Sequence, residues 1–348
     1  LPLLKIGGMK MPVTIKDVAR ISGVSISTVS RVINDSKPVS SGIREKVFRV
    51  IEDTGYVPNP VARSLVMKKS QLLGVIVPGS KYPVGDLVNA IEEIARIYQY
   101  DTVLCNTYCD SKKEEEFVNL LRSKQAAGII IVTENINEEM DKKLKKYGVP
   151  TVYYTLGTPK IDNINCVDVD RVEAMLTLLE KTEKDDGKII YLRPDKDEHN
   201  LKENSRQAIL EEAVKEKKLP ASKFKVVYGA NDIDSTYKLI EKTLKKDKTI
   251  TSIISANDES TLGVIYYMQD NGKSIPKDYK LSQIYDTKIA KLIRPGITSI
   301  SLPMFDIGAI CARLIVKEIE NKEHKTGYVF KANEVILPYN LMERNSTK

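Results

Sequence analysis

Thr14 to Asn34 reads TIKDVARISGVSISTVSRVIN, two short apolar-periodic stretches separated by Ser22-Gly23-Val24. Thr14 followed three residues later by Asp17 has the form of a capping box, with aspartate as the acid that reaches back to the first backbone N–H. Ile15, Val18, Ala19 and Ile21 follow at helical spacing. Gly23 supplies a left-handed turn residue, and Val24 is placed to bury between helices. Ser25 then caps a second helix, Ile26 to Ile33, whose Val29, Val32 and Ile33 face inward while Ile26, Ser27 and Arg31 point outward. A third helix from about Ser41 to Thr54, with Ile43, Val47, Val50 and Ile51 apolar and Gly55 past its end, completes one small core.

The charge is unevenly distributed. The 348-residue chain carries a formal net charge of +7, and between Pro12 and Lys69 ten lysines and arginines stand against five acids, so +5 of that total falls in one short stretch. A polyanionic partner requires such a concentration; a helical hairpin with no nucleic-acid role does not. Turn chemistry, basic surplus and outward small polar residues together predict a DNA-docking head of helix-turn-helix form.

Val13-Thr14-Ile15-Lys16-Asp17-Val18-Ala19, Gly23-Val24-Ser25 and Thr28-Val29-Ser30-Arg31-Val32-Ile33-Asn34 resemble the head of the lactose/galactose repressor family, as does GYVPNPVARSL, Gly55 to Leu65. The resemblance implies that the second helix enters the major groove and that Ile26, Ser27 and Arg31 read bases. Arg31 leads, because a planar guanidinium meets O6 and N7 of guanine together. Phosphate-backbone contacts are implied for Thr14, Ser25, Thr28, Ser30, Asn34, Tyr56, Asn59 and Ala62, which set register without reading sequence. Asn59 to Met67 corresponds to a hinge helix, capped by Asn59, with Pro60 at its first position. In the family two such helices pair across a dimer and each wedges a leucine, here Leu65, into the minor groove.

Beyond Lys68-Lys69-Ser70 the pattern changes. Apolar runs at Leu72 to Val77, Thr102 to Leu104, Gly128 to Val132 and Pro150 to Tyr154 alternate with amphipathic stretches such as Asp86 to Tyr98. A second series follows at Lys188 to Leu192, Lys225 to Tyr228, Ser252 to Ser255 and Tyr279 to Ile284. Strands alternating with helices predict an α/β body of two similar halves, each a doubly wound parallel sheet. The resemblance adds a two-lobed, periplasmic-binding-protein-like body in which the chain recrosses between lobes. The expected organisation is an extension over 1–11, an all-α helix-turn-helix head over 12–58, a hinge helix and linker over 59–69, and an effector-binding and dimerisation body over 70–348. Lobe 1 is expected at about 70–168 and 299–328, and lobe 2 at about 169–298 and 329–343.

In doubly wound sheets a cleft at the carboxyl ends of the strands is the default ligand site. Sugar- and purine-responsive family members carry an arginine in the helix after the first strand of the second lobe and an aspartate after its last strand. Lys202 and Tyr285 occupy those positions here, Asn257-Asp258 remains, and Asp286 is the neighbour placed to substitute for the lost acid. A conventional sugar pocket is thereby altered. By contrast PMFDIGA, Pro303 to Ala309, with Arg313 and Lys317, Ile97-Tyr98-Gln99-Tyr100 and Arg344 to Lys348, resembles the family's catabolite-control branch. The corepressor of that branch is the serine-phosphorylated phosphocarrier protein HPr. Tyr98, Phe305, Asp306, Ala309, Arg313 and Lys317 match its contact positions, with Phe305 in place of the usual tyrosine. Spacings of seven and four put Asp306, Arg313 and Lys317 on one helix face, where two cations suit a phosphoserine. The alternative for Phe305 and Ala309 is packing in a dimer seam.

Other classes are disfavoured. Cys105, Cys109, Cys166 and Cys311 are dispersed and complete no zinc set, and His199 and His324 lie in charged, surface-like sequence that offers no catalytic triad. No G-x-G-x-x-G turn and no G-x-x-x-x-G-K-[ST] loop is present. No cofactor, metal or catalytic residue is expected. With neither an export signal nor an apolar span of ~20 residues, a cytoplasmic location is expected, unlike that of the solute-binding proteins sharing the body. The expectation is a homodimeric repressor in global carbon catabolite control, binding a pseudopalindromic DNA operator and modulated by serine-phosphorylated HPr. The alternative is a family member answering to a small sugar or sugar phosphate in the cleft.

Overall fold

The computed structural model describes residues 13–34, 37–57, 70–79, 84–133, 136–156, 163–195, 201–324 and 334–348. The chain divides into two compact units, with the boundary between Ser70 and Gln71. In the first, α1 (Ile15–Ser22), α2 (Ile26–Asn34) and α3 (Ser41–Thr54) enclose a core of Val18, Ala19, Val29, Val32, Val47 and Val50. Val24 and Ile33 pack against it as expected. Ile21 and Ile43 do not join the core and remain 51% and 37% exposed, because three short helices admit only a narrow apolar stripe from each.

The second unit contains two six-stranded sheets. The first orders β11-β5-β4-β3-β1-β2, all parallel, from β1 (Leu72–Val77), β2 (Asp101–Asn106), β3 (Gly128–Thr133), β4 (Thr151–Thr155), β5 (Cys166–Val169) and β11 (Glu334–Leu337). Alternation along the strands sends Leu73, Val75, Ile130 and Val132 to one face and Ile76, Ile129 and Ile131 to the other. On the first face sit α4 (Gly85–Ile97) and α12 (Met304–His324), whose Leu87, Ile91, Ile307 and Ile315 are fully buried. The opposite face packs on α5 (Ser111–Ser123) and α6 (Glu138–Lys146) through Val118, Leu121, Met140 and Leu144.

The second sheet orders β12-β10-β9-β8-β6-β7 and is parallel except for β12. Its strands are β6 (Lys188–Arg193), β7 (Phe224–Tyr228), β8 (Ile250–Ser255), β9 (Lys280–Tyr285), β10 (Thr298–Ser301) and β12 (Asn340–Met342). α7 (Arg171–Thr182) and α8 (Leu201–Glu216) cover one face, α9 (Ile233–Lys246) and α10 (Asp258–Asp270) the other, and α11 (Lys288–Leu292) leads from β9 towards β10.

Two lobe boundaries differ from the expected ones. Residues 298–300 pair with β9, 299–301 pair with β12, and Ile300 sits in the second lobe's core, so the chain leaves that lobe only after Ser301. Residues 334–337 pair with β5 and therefore belong to the first lobe, and the chain returns to the second at β12. β5, β10, β11 and β12 escaped the sequence pattern because stretches of three or four residues make no apolar run long enough to stand out; distant partners define them. No helix among the described residues is long and apolar enough to cross a membrane.

Candidate nucleic-acid interface and effector cleft

The start of α1 is closed by Asp17, whose carboxylate accepts the Thr14 N–H at 3.1 Å and the Thr14 hydroxyl at 2.7 Å. These bonds, with one from Arg20, hold the exposed carboxyl below its ordinary range. Gly23 takes φ 64°, ψ 28°, and the Val24 N–H returns to the Ala19 carbonyl at 3.1 Å, so the chain turns within three residues. Ser25 then accepts the Thr28 N–H at 3.1 Å, and the hydroxyls of Ser27 and Thr28 close on it at 2.7 and 2.8 Å. The result is a hydroxyl-rich helix N-terminus, a site that favours phosphate through its free N–H groups and dipole. Ile26, Ser27 and Arg31 are exposed on the side of α2 away from Val29 and Val32. Tyr56 is half-buried against the helical core, which pushes its hydroxyl pKa up.

Between the carboxyl ends of the two sheets lies a cavity of 440 Å³. Asp86, Tyr154 and Met304 line it from the first lobe, and Arg206, Tyr285, Lys288 and Lys291 from the second, with Arg171 at the crossing. Arg171 is 4% exposed, pairs with Asp168, donates to the Thr155 carbonyl and lies 5.5 Å over the Tyr154 ring. Burial opposes its charge, but Tyr154, Asp168 and Tyr285 push its pKa up on balance. Burial likewise pushes the Tyr154 hydroxyl up to about 12, so it stays a neutral donor. Arg206 lies 5.1 Å over the Tyr285 ring and donates to Glu203 at 2.7 Å. Two arginine–tyrosine stacks thus bound a cleft in which cations outnumber acids.

A third arrangement lies on the surface of the first lobe. Tyr98 at the end of α4 and Phe305 at the start of α12 are each 45% exposed, and Asp306, Arg313 and Lys317 are exposed along α12. Ala309 is not part of this surface. It is 4% exposed and its methyl belongs to the core between helix and sheet, in the stretch where Gly308 brings α12 against Leu87.

Comparison with known proteins matches this arrangement of head and body. The model for bacterial regulatory proteins of the lacI family matches residues 14–59, and that for the periplasmic binding protein-like domain matches 186–347. Catabolite control protein A of Priestia megaterium is 35% identical, over 97% of this chain and 100% of that protein. The chain belongs to the LacI family. It is a DNA-binding transcriptional regulator. The HTH-type transcriptional regulator RegA of Clostridium saccharobutylicum is 30% identical over 97% of this chain and 100% of that protein. Among solved structures, the lac repressor dimer bound to operator and an anti-inducer superposes with TM-score 0.78 at 22% identity, covering 97% of this chain and 99% of that one. The transcription regulator CcpA of Lactococcus lactis gives TM-score 0.61 at 25% identity, covering 80% and 100%.

Several effector positions expected from the LacI-family pattern do other work in this structure. Asn257 caps α10 by accepting the Ser260 N–H at 2.9 Å, and Asp258 accepts from Gln283 at 3.0 Å and Thr287 at 2.6 Å; neither lines the cavity. Asp286 does line it, but its oxygens are committed to Arg344 at 2.6 and 3.0 Å and to the Ser299 hydroxyl at 2.7 Å, so it does not replace the lost aspartate. Tyr285 lines the cavity as expected. The side chains of Lys202 and Asn34, and Asn59, Ala62 and Leu65 altogether, lie outside the described residues. Arg206 was missed in the sequence, although it stands one helical turn beyond Lys202 and supplies from α8 the cleft arginine that the pattern had placed at Lys202.

Proposed function

We propose that this LacI-family regulator is a dimeric repressor of the catabolite-control type, reading a pseudopalindromic operator with Ile26, Ser27 and Arg31 from each protomer. Serine-phosphorylated HPr, docked on the α4–α12 surface, raises its operator affinity. The observation that carries this reading is the stripe of Asp306, Arg313 and Lys317 exposed along α12, with the exposed rings of Phe305 on the same helix and Tyr98 at the end of α4. An arginine and a lysine one turn apart offer a phosphoserine a bidentate fork and a point charge, and the two rings supply apolar anchoring. Thr14, Ser25, Thr28, Ser30 and Tyr56 set the register on the phosphate backbone, with Asn34, Asn59 and Ala62, while Leu65 wedges the minor groove.

The test is operator binding at two salt concentrations, with and without phosphorylated HPr, for the wild type and for Arg313→Glu/Lys317→Glu. Tightening by the partner in the wild type and none in the variant is expected. Equal affinities with and without the partner in the wild type overturn the corepressor assignment.

A second reading rests on the cleft. Lys288 and Lys291 against Asp86, with Arg206 shared with Glu203, leave the cleft a cationic surplus that favours an anionic ligand, which makes a sugar phosphate a better fit than a neutral sugar. Calorimetry with paired sugars and sugar phosphates checks this, and saturable binding of the neutral sugar alone is the outcome against it.

A further inference from the structure

At the end of the first sheet opposite the cleft, where Ala126-Ala127 precedes β3 and Val149-Pro150 precedes β4, a groove of 550 Å³ opens between the last turns of α5 and α12. Two cations among the described residues line it. The Arg122 guanidinium lies 3.6 Å from the centre of the Tyr147 ring and donates to the Asn119 side chain at 3.3 Å, so its plane is fixed in advance. The Lys322 ammonium donates to the Gly148 carbonyl. Gly148 sits at φ 63°, a left-handed backbone conformation that favours glycine at this turn. Among the described residues no carboxylate lines the groove. The smaller adjoining pocket, which Lys322 also lines, carries Asp141 and Glu318, and Asp141 pairs with Lys145 at 2.7 Å.

We propose that this groove binds the phosphate group of a small phosphorylated molecule, with Arg122 as the bidentate fork and Lys322 as the point charge. A phosphate monoester carries close to two negative charges at neutral pH and so matches two fixed cations, where a carboxylate would leave one unanswered. The groove opens at the amino ends of the strands, so it is distinct from the cleft and independent of which effector the cleft takes.

The full-length chain is titrated calorimetrically with orthophosphate and with glycerol 1-phosphate in an Arg206→Gln background, which removes one of the cleft's cations and weakens anion binding there. Saturable binding to that variant is expected, weakened about tenfold or more when Arg122→Gln and Lys322→Gln are added. Absence of saturable binding in the Arg206→Gln chain, or equal binding after the two further changes, overturns the proposal. If the triple variant fails to fold, Arg206→Gln/Lys322→Gln replaces it, since Lys322 is exposed; several-fold weaker binding is expected and no change overturns. The salt dependence of non-specific DNA affinity is measured in parallel. An unchanged slope is expected for Arg122→Gln/Lys322→Gln, and a slope reduced by about one to two phosphate contacts reassigns the groove to the nucleic-acid backbone and overturns the small-molecule reading.

Discussion

Arg344 holds both carboxylate oxygens of Asp286, at 2.6 and 3.0 Å, and the same guanidinium donates to the Ile297 carbonyl at 2.6 Å. The pair ties the segment after β12 to the mouth of the cleft. Burial by itself raises the Asp286 carboxyl, but the bonds from Arg344 and Ser299, with the arginine's charge, outweigh it and hold the pKa below the ordinary value. A depressed native pKa gives stability that is present above the unfolded value and lost as pH falls through the native one. Asp286→Asn is therefore expected to cost about 2 kcal/mol at pH 7, somewhat less than a fully buried broken pair, and less in acid. Urea unfolding at pH 7 and near pH 3 checks this; an equal loss at both would show that charge is not the cause.

Glu114 of α5 titrates in the opposite sense. Burial pushes its carboxyl up from 4.5 to about 7 against the effect of a hydrogen bond with Thr133. The native state then binds the proton more tightly than the unfolded chain, so this contribution is present below the unfolded pKa and disappears as pH rises from 4.5 to about 7. Glu114→Gln, which keeps the shape and removes the charge, is expected to exceed the wild type by roughly 2–3 kcal/mol above pH 8 and to match it near pH 4. Thermal unfolding across that range decides it, and a variant less stable at pH 8 contradicts the assignment.

Gly308 lets α12 approach α4 backbone to backbone. A Cβ at this position would lie 2.2 Å from the Leu87 carbonyl oxygen, and a carbonyl between two packed helices cannot swing aside as a side-chain tip can. Gly308→Ala is expected to lose about 2–3 kcal/mol despite alanine's better helix propensity. A gain in melting temperature would show that the helices separate without cost.

In the head, Arg31→Ala is expected to weaken operator binding by about 1–3 kcal/mol and to relax preference at one position of each half-site. Ser25→Ala behaves differently, because it removes both the helix cap and a hydroxyl able to reach phosphate. Affinity should fall on all sequences alike, and the head should lose about 1 kcal/mol of stability. Binding to a panel of singly substituted operators at fixed salt separates the two, and identical profiles would remove the base-reading role from Arg31.

How much of this was readable in the chain depends on the range of the forces involved. The turn at Gly23, the caps at Thr14 and Ser25 and the outward row of Ile26, Ser27 and Arg31 all follow from residues no more than five apart, and the structure keeps each of them. The apolar strands of both sheets were equally visible, since six consecutive residues bury enough surface to announce themselves. Pairings across more than a hundred residues were not: β11 joins β5 and not the second lobe, because an edge strand takes whichever partner the fold brings to it. The cleft shows the same division. Its position at the strand ends was fixed by the alternating pattern, but the commitment of Asp286 to Arg344, the burial of Ala309 and the arrival of Arg206 over Tyr285 are decided by packing between segments far apart in sequence. Thus the sequence by itself determined that this protein reads DNA, through local helix chemistry, while the tertiary structure alone decided which charges remain free to meet a signal.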